Sequence, residues 1–149
     1  MPHDHLSGCL FCEMAQGRIR PNIVFENDRL LAFLDIHPIR RGHVQIIARE
    51  HYDCFDDLPS DLAGEIIMLG QKIARAQKRL YGVDRVGFLF TGGDISHAHA
   101  HIVPMVEKTD ITSRRYIEEE NLTFVSTPRA SAEELAEVAS EIAGALGPA

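Results

Sequence analysis

No uninterrupted apolar run in the chain approaches the roughly 20 residues that span a bilayer, and the start MPHDHLSGC has neither a basic nor an apolar leader segment. We therefore expect a cytoplasmic protein that makes no membrane contact. Positive charge is also scarce: 15 Lys and Arg stand against 22 Asp and Glu, a formal net charge of -7. A broad basic face is thus missing, which argues against duplex nucleic acid as a partner. A phosphorylated small molecule remains compatible if imidazoles, arginines or backbone N–H groups meet its charge locally. Cysteine is limited to three residues, too few for a disulfide-dense miniprotein. What is present is ordinary: 45% hydrophobic and 25% charged residues in 149 exclude wholesale disorder and a collagen-like repeat, and the length suits one α+β or α/β domain.

Cys9 and Cys12 form a C-x-x-C, with Cys54 alone. Such a pair is either a redox couple or half of a zinc site. A thioredoxin-like couple follows a strand and opens a helix, whereas no strand precedes Cys9, so zinc is favoured if two further ligands exist.

Along the chain, Asn22 to Glu26 and Leu30 to Asp35 read as a hairpin about the polar turn Asn27-Asp28. Val44 to Ala48 is apolar and β-branched, a central strand, and His51 follows within three residues. Leu62, Ile66, Leu69, Ile73 and Leu80 recur at helical spacing between Leu58 and Tyr81, with Pro59 near the start and Gly82 past the end. Val86 to Phe90 is a buried strand, Thr91 to Asp94 a glycine-rich turn, and Ile95 to Met105 a last strand. From Glu107 to Thr127 the chain is polar and irregular, with Arg114-Arg115 and Glu118 to Glu120 marking a solvated excursion. Ser131 and Glu134 then form a capping box before a helix that reaches about Leu146.

His97, His99 and His101 alternate with Ala98, Ala100 and Ile102, so on a strand all three imidazoles project from one face, roughly 7 Å apart. A polar strand face in water explains single histidines, not three at strict alternation in a chain with eight. A metal-binding β-barrel needs a glutamate close behind the second histidine; Glu107 is too far, and the two helices argue against a barrel.

The run His97-Ala98-His99-Ala100-His101-Ile102-Val103 resembles the H-φ-H-φ-H-φ-φ signature of the histidine triad (HIT) family. CLFC at Cys9 to Cys12, FENDRLLAFLDIHP from Phe25 to Pro38, Gly42-His43 and AREH ending at His51 are similar to the family's N-terminal blocks, in the same order. The resemblance covers about residues 9 to 106, leaving about 107 to 149 as a C-terminal extension of one HIT domain. It implies an α+β fold: a five-stranded antiparallel sheet, a long helix and a C-terminal helix, commonly in a homodimer.

For activity the resemblance implies a hydrolase or nucleotidyl transferase acting at the α-phosphate of a nucleoside phosphoramidate or polyphosphate, with a purine nucleotide as the substrate class. His99 takes the family's nucleophile position and His101 that of the acid. Neutral imidazole suits this role, because its free nitrogen attacks and the N–P bond formed is labile. Nδ1 of His99 should then carry the proton and be held by a carbonyl of a neighbouring element. Asp35 matches the ribose-binding carboxylate, and Phe11, Met14, Phe33, Ile36 and His43 match the base and ribose pocket. Cys9, Cys12, His51 and His97 match the Cys₂His₂ set of a zinc-binding branch, implying a structural Zn²⁺. Cys54, His3 and His5 acquire no role. The stretch before the triad departs from the family: it is short and lacks glutamine, leaving Thr91, Gly92, Gly93 and Ser96 to meet phosphate, with Asp94 opposing it. A nucleotide-binding regulatory module with little turnover is the alternative this departure supports.

Overall fold

The computed structural model describes residues 8–148 other than 114, 116, 122 and 124. His3, His5 and Arg114 thus lie outside the described residues. The elements run α1 (Leu10–Ala15), β1 (Ile23–Glu26), β2 (Leu30–Leu34), β3 (Val44–Ala48), a single 3-10 turn (Phe55–Asp57), α2 (Ser60–Tyr81), β4 (Arg85–Phe90), β5 (His99–Met105) and α3 (Ala132–Leu146).

The strands form one five-stranded sheet in the order β1-β2-β3-β5-β4, antiparallel at every junction. The β1-β2 turn is longer by one residue than the sequence suggests. Asn27 takes the N–H groups of Arg29 and Leu30 on its side-chain oxygen, an Asx turn that carries Arg29 as well.

Alternation along the strands gives the two faces different work. Leu30, Ala32 and Leu34 of β2, Val44, Ile46 and Ala48 of β3, and Ala100 and Ile102 of β5 turn toward α2 and α3. There they meet Leu62, Ile66, Leu69 and Ile73 of α2 and Leu135, Val138 and Ile142 of α3 in the main core. Ile66, Ile73 and Ile142 are fully buried, so truncating any one to alanine should cost about 2–5 kcal/mol. Ala100 of β5 and Ala98 just before it are small residues on this face, buried in the same core. Gly82 closes α2 in the left-handed conformation as expected, and the Ser131 hydroxyl accepts the N–H of Glu134 to open α3, while the Glu134 carboxylate, the other half of the expected capping box, pairs with Arg41.

On the opposite face α1 is the one helix among the described residues, lying over Leu31, Phe33 and Ile47. This face is therefore open for a site, and it is the face to which His99, His101 and Gln45 belong.

Candidate functional site

Six residues are too few to show a helical period, so α1 escapes the sequence reading. Its start is fixed by sulfur: Cys9 is the N-cap, and its Sγ accepts the N–H of Cys12 at 3.4 Å. The helix brings both thiols against two imidazoles from distant parts of the chain. Cys9 Sγ lies 3.5 Å from Nδ1 of His97, and Cys12 Sγ lies 3.2 Å from Nδ1 of His51 and 3.6 Å from Nδ1 of His97. All four ligand atoms fall within 4.8 Å of one another. Around a tetrahedral zinc, bonds of about 2.3 Å to sulfur and about 2.0–2.1 Å to nitrogen put S and N about 3.6 Å apart. The donor set thus fits that ion in type and spacing. The far nitrogens are also engaged, His97 Nε2 on the Ala48 carbonyl at 2.8 Å and His51 Nε2 on the Asp53 carboxylate at 2.8 Å. Such partners keep each proton off Nδ1, leaving its lone pair for a metal.

The triad is not one continuous strand. β5 begins at His99, and His97 sits in a bend before it. The bend is closed by the His97 N–H on the Ile95 carbonyl at 2.8 Å. It lets the His97 ring turn to the thiols while its main chain serves His99, whose Nδ1 lies 2.7 Å from the His97 carbonyl oxygen. The carbonyl is thus two residues upstream, not on a neighbouring element. His99 and His101 do share a face, but their rings tilt together, with centroids 5.0 Å apart. The Phe11 ring of α1 meets His99 edge-on at 5.1 Å, clamping it from the other side.

Hydrogen-bond partners assign the neutral tautomers. A carbonyl only accepts, so His99 carries its proton on Nδ1 and keeps a bare Nε2. His43 takes the Ile39 N–H on Nδ1 at 3.2 Å, so its own proton is on Nε2. That Nε2 lies 2.9 Å from Nδ1 of His101, which must accept, leaving the His101 proton on Nε2. Burial, the main cause, holds His43 down to about 4; it acts against the nearby Asp35 carboxylate and together with His101. His101 is also lowered, first by burial and then by His99. Two adjacent imidazoles therefore present opposite groups, a lone pair from His99 and an N–H from His101.

A cavity of about 860 Å³ opens over these groups, within the range of small-molecule sites. Phe11, Met14, Phe33, Asp35, Ile36, His43, Thr91 and His101 all line it. His99 is beneath, 4% exposed, and Gly92, Gly93 and Ser96 stand on the exposed loop beside the cavity without lining it. Asp35 accepts the His37 N–H on Oδ1 and the Gln45 amide on Oδ2, both at 2.7 Å, so each oxygen keeps a lone pair.

Several participants carry no signal in the sequence. Gln45 reads as a polar interruption of a strand yet lies between Phe33 and His101 in register. Ile111, Thr112, Thr127 and Arg129 of the irregular excursion complete the cavity wall. The same excursion grips the β2-β3 loop at two points. Asp110 takes Arg40 in a two-pronged pair, and the Ala130 N–H and the Thr127 hydroxyl bond to the Ile36 and His37 carbonyls.

Comparison with known proteins bears on this arrangement, since the sequence model of the HIT domain matches residues 16–108. The chain belongs to the HIT family. A HIT-like protein of Methanocaldococcus jannaschii, named as uncharacterised, is 33% identical over 103 residues, 66% of this chain and 80% of that one. An adenylylsulfatase of Arabidopsis thaliana is 29% identical over 105 residues, 67% of this chain and 53% of that one. Among solved structures, a zinc-bound histidine triad family protein of Mycobacterium smegmatis superposes with a TM-score of 0.71 at 25% identity, covering 93% of each chain. Membership in the HIT family agrees with the five-stranded antiparallel sheet and with the C-terminal helix. No helix among the described residues of this HIT protein is long and apolar enough to cross a membrane.

Proposed function

We propose that the protein is a nucleotide hydrolase or nucleotidyl transferase that works through a nucleotidyl-histidine intermediate. The observation that carries this reading is the pair of opposite tautomers at His99 and His101 beside one cavity. Nε2 of His99 attacks the α-phosphorus of a purine nucleotide, and the P–N or P–O bond to the leaving group breaks. The Nε2–H of His101 donates a hydrogen bond to the departing atom, which takes its proton from solvent, and the water that then cleaves the N–P bond returns a proton to solvent. Asp35 holds the ribose hydroxyls; Phe11, Met14, Phe33 and Ile36 enclose base and sugar; and Thr91, Gly92, Gly93 and Ser96 meet phosphate. His43 keeps His101 in its donor tautomer.

Cys9, Cys12, His51 and His97 hold a structural zinc in this reading. With four protein ligands the ion has no open position, so it supplies stability and not Lewis-acid chemistry. It ties α1 to the end of β3 and the start of β5. Reduced thiols are needed for it, which supports the cytoplasm as the setting. We read residues 1–149 as one domain, with residues 107–149 as an extension that walls the pocket. A second copy pairs along β4, one of the two edge strands, helped by exposed Ile67 and Met68 of α2 and Phe88 of β4. Sedimentation should give twice the chain mass, and a monomer at micromolar concentration would remove that part of the reading.

The test of the reaction is trapping. Incubation with a nucleoside phosphoramidate and acid-free quenching should yield a nucleotide adduct mapped by mass spectrometry to His99. It should be absent in His99→Ala and formed slowly in His101→Ala. An adduct on His101, or one that persists in His99→Ala, would overturn the mechanism. Tight nucleotide binding with no adduct and no turnover would establish the regulatory module instead.

A further inference from the structure

Gln77 is the one buried polar residue of α2, on the side of the sheet away from the cavity, and it is fully buried. Its amide nitrogen donates to two backbone carbonyls, Gly42 at 2.8 Å and Ile102 at 3.0 Å. Both N–H groups of the amide are thereby used. The oxygen Oε1 is left buried without a partner, so a residue chosen only for packing would be apolar here.

The two carbonyls have a shared significance. Gly42 immediately precedes His43, and Ile102 immediately follows His101. Those are the two histidines whose ring nitrogens lie 2.9 Å apart. The β3-β5 ladder ends at Val44 and Ile102, so beyond it no strand bond fixes Gly42 against β5. The next turn of α2 meets Gly42 a second time. Gly42 has φ +87°, and a Cβ there would lie 2.4 Å from the ring of Tyr81, one helical turn beyond Gln77. Helix α2 thus holds Gly42 by its carbonyl and by close contact on its α-carbon.

We propose that Gln77 is a positioning residue for the acid of the reaction: it locks the main chain of His43 to that of His101 from behind the sheet, and so fixes the donor tautomer of His101. The role rests on the reaction proposed above, in which His101 donates its Nε2–H to the leaving group. Gln77 touches neither substrate nor the reacting atoms and acts only through the two carbonyls.

The distinguishing property is dependence on the leaving group, because an acid matters only where the departing atom is basic. Wild type, Gln77→Met and Gln77→Glu are compared on two nucleoside substrates, an alkyl phosphoramidate and a p-nitrophenyl phosphodiester. Methionine keeps the volume and removes both donors; glutamate keeps the shape but, held protonated by burial between two carbonyls, donates to one of them at most and so still breaks the lock. Turnover of the phosphoramidate should fall by about tenfold or more in both variants, while p-nitrophenolate release and nucleoside monophosphate affinity stay within about threefold. A merely structural role would depress both substrates together with the melting temperature, and equal losses overturn the proposal. Nitrogen-15 NMR of the imidazoles reads the same question without turnover. Wild type should show His101 protonated at Nε2 alone, and the variants a mixture of tautomers; an unchanged tautomer in folded Gln77→Met overturns the proposal. If wild type turns over neither substrate, the proposed reaction fails while the NMR comparison still decides the role of Gln77.

Discussion

The pair between Arg40 and Asp110 offers a quantitative test of how the excursion after β5 supports the loop that carries His43. Asp110 accepts both prongs of the Arg40 guanidinium at 2.7 and 2.9 Å and also the N–H groups of Val106 and Glu107 at 2.8 and 3.0 Å. Chiefly the Arg40 hydrogen bonds, with help from the two amides, hold its carboxyl down from 3.8 to about 2. At 1.36 kcal/mol per pH unit that displacement corresponds to about 2.5 kcal/mol. Arg40 is 36% exposed against 7% for Asp110, so solvent screening reduces the expected net value to about 1–1.5 kcal/mol. A carboxyl lowered in the folded state stabilises above its unfolded pKa, and that contribution is lost as pH falls through the folded value. Asp110→Asn should therefore destabilise by about 1–1.5 kcal/mol at pH 7, and about half of that difference should be gone by pH 3. Urea melts of both proteins at pH 7, 5, 4 and 3 measure it. A difference that stays constant across this range would mean that the side chain acts through shape and not through charge, and the reasoning would be wrong.

Three further outcomes are expected. Purified protein should contain about one zinc per chain, and Cys12→Ser should lower both metal content and melting temperature by more than an average point substitution; protein prepared without chelators and free of zinc would remove the assignment. Asp35→Ala should weaken ribonucleotides by about 1.5–3 kcal/mol, the range for hydrogen bonds to a charged group, and 2′-deoxyribonucleotides by less, as calorimetry can show; equal losses would count against ribose recognition. Because His43 is held down to about 4, it stays neutral through the physiological range and its folded-state contribution is lost only as pH falls from about 6.5 toward 4. NMR of the His43 ring should accordingly show no titration from pH 8 to about 5.5, and a transition of that ring centred near pH 7 would refute the reasoning.

The sheet and both long helices were open to sequence reading because each leaves a periodic trace several residues long. The apolar residues from Leu62 to Leu80 keep helical spacing, and the strands alternate or run fully apolar. Identity of the metal and triad residues was legible for a different reason: histidine and cysteine carry chemistry at spacings that chance seldom produces. Contacts set by tertiary placement were not legible. His97 has the same neighbours in sequence as a strand residue, yet the bend at Ile95 takes it out of β5 and gives its carbonyl to His99. His43 reads as a pocket residue, while its ring closes on His101, 58 residues away. Gln45 and Gln77 look like ordinary polar substitutions, since nothing local tells a buried amide from a solvated one. Thr127 and Arg129 belong to a stretch with no period at all, and its bonds to Ile36, His37 and Arg40 bring it to the cavity.

That stretch has an evolutionary consequence. The family match ends at residue 108, yet Asp110, Ile111, Thr112, Thr127 and Arg129 form part of the cavity wall. Scaffold and reacting imidazoles are thus encoded in one part of the gene product and much of the rim in another. Drift, insertion or exchange in the second part that spares Asp110, Thr127 and Ala130, which hold the β2-β3 loop, reshapes the rim of the cavity while the sheet and the histidines stay in place. Lineages sharing this architecture can therefore diverge in what their cavities admit while the fold and the histidine cluster persist.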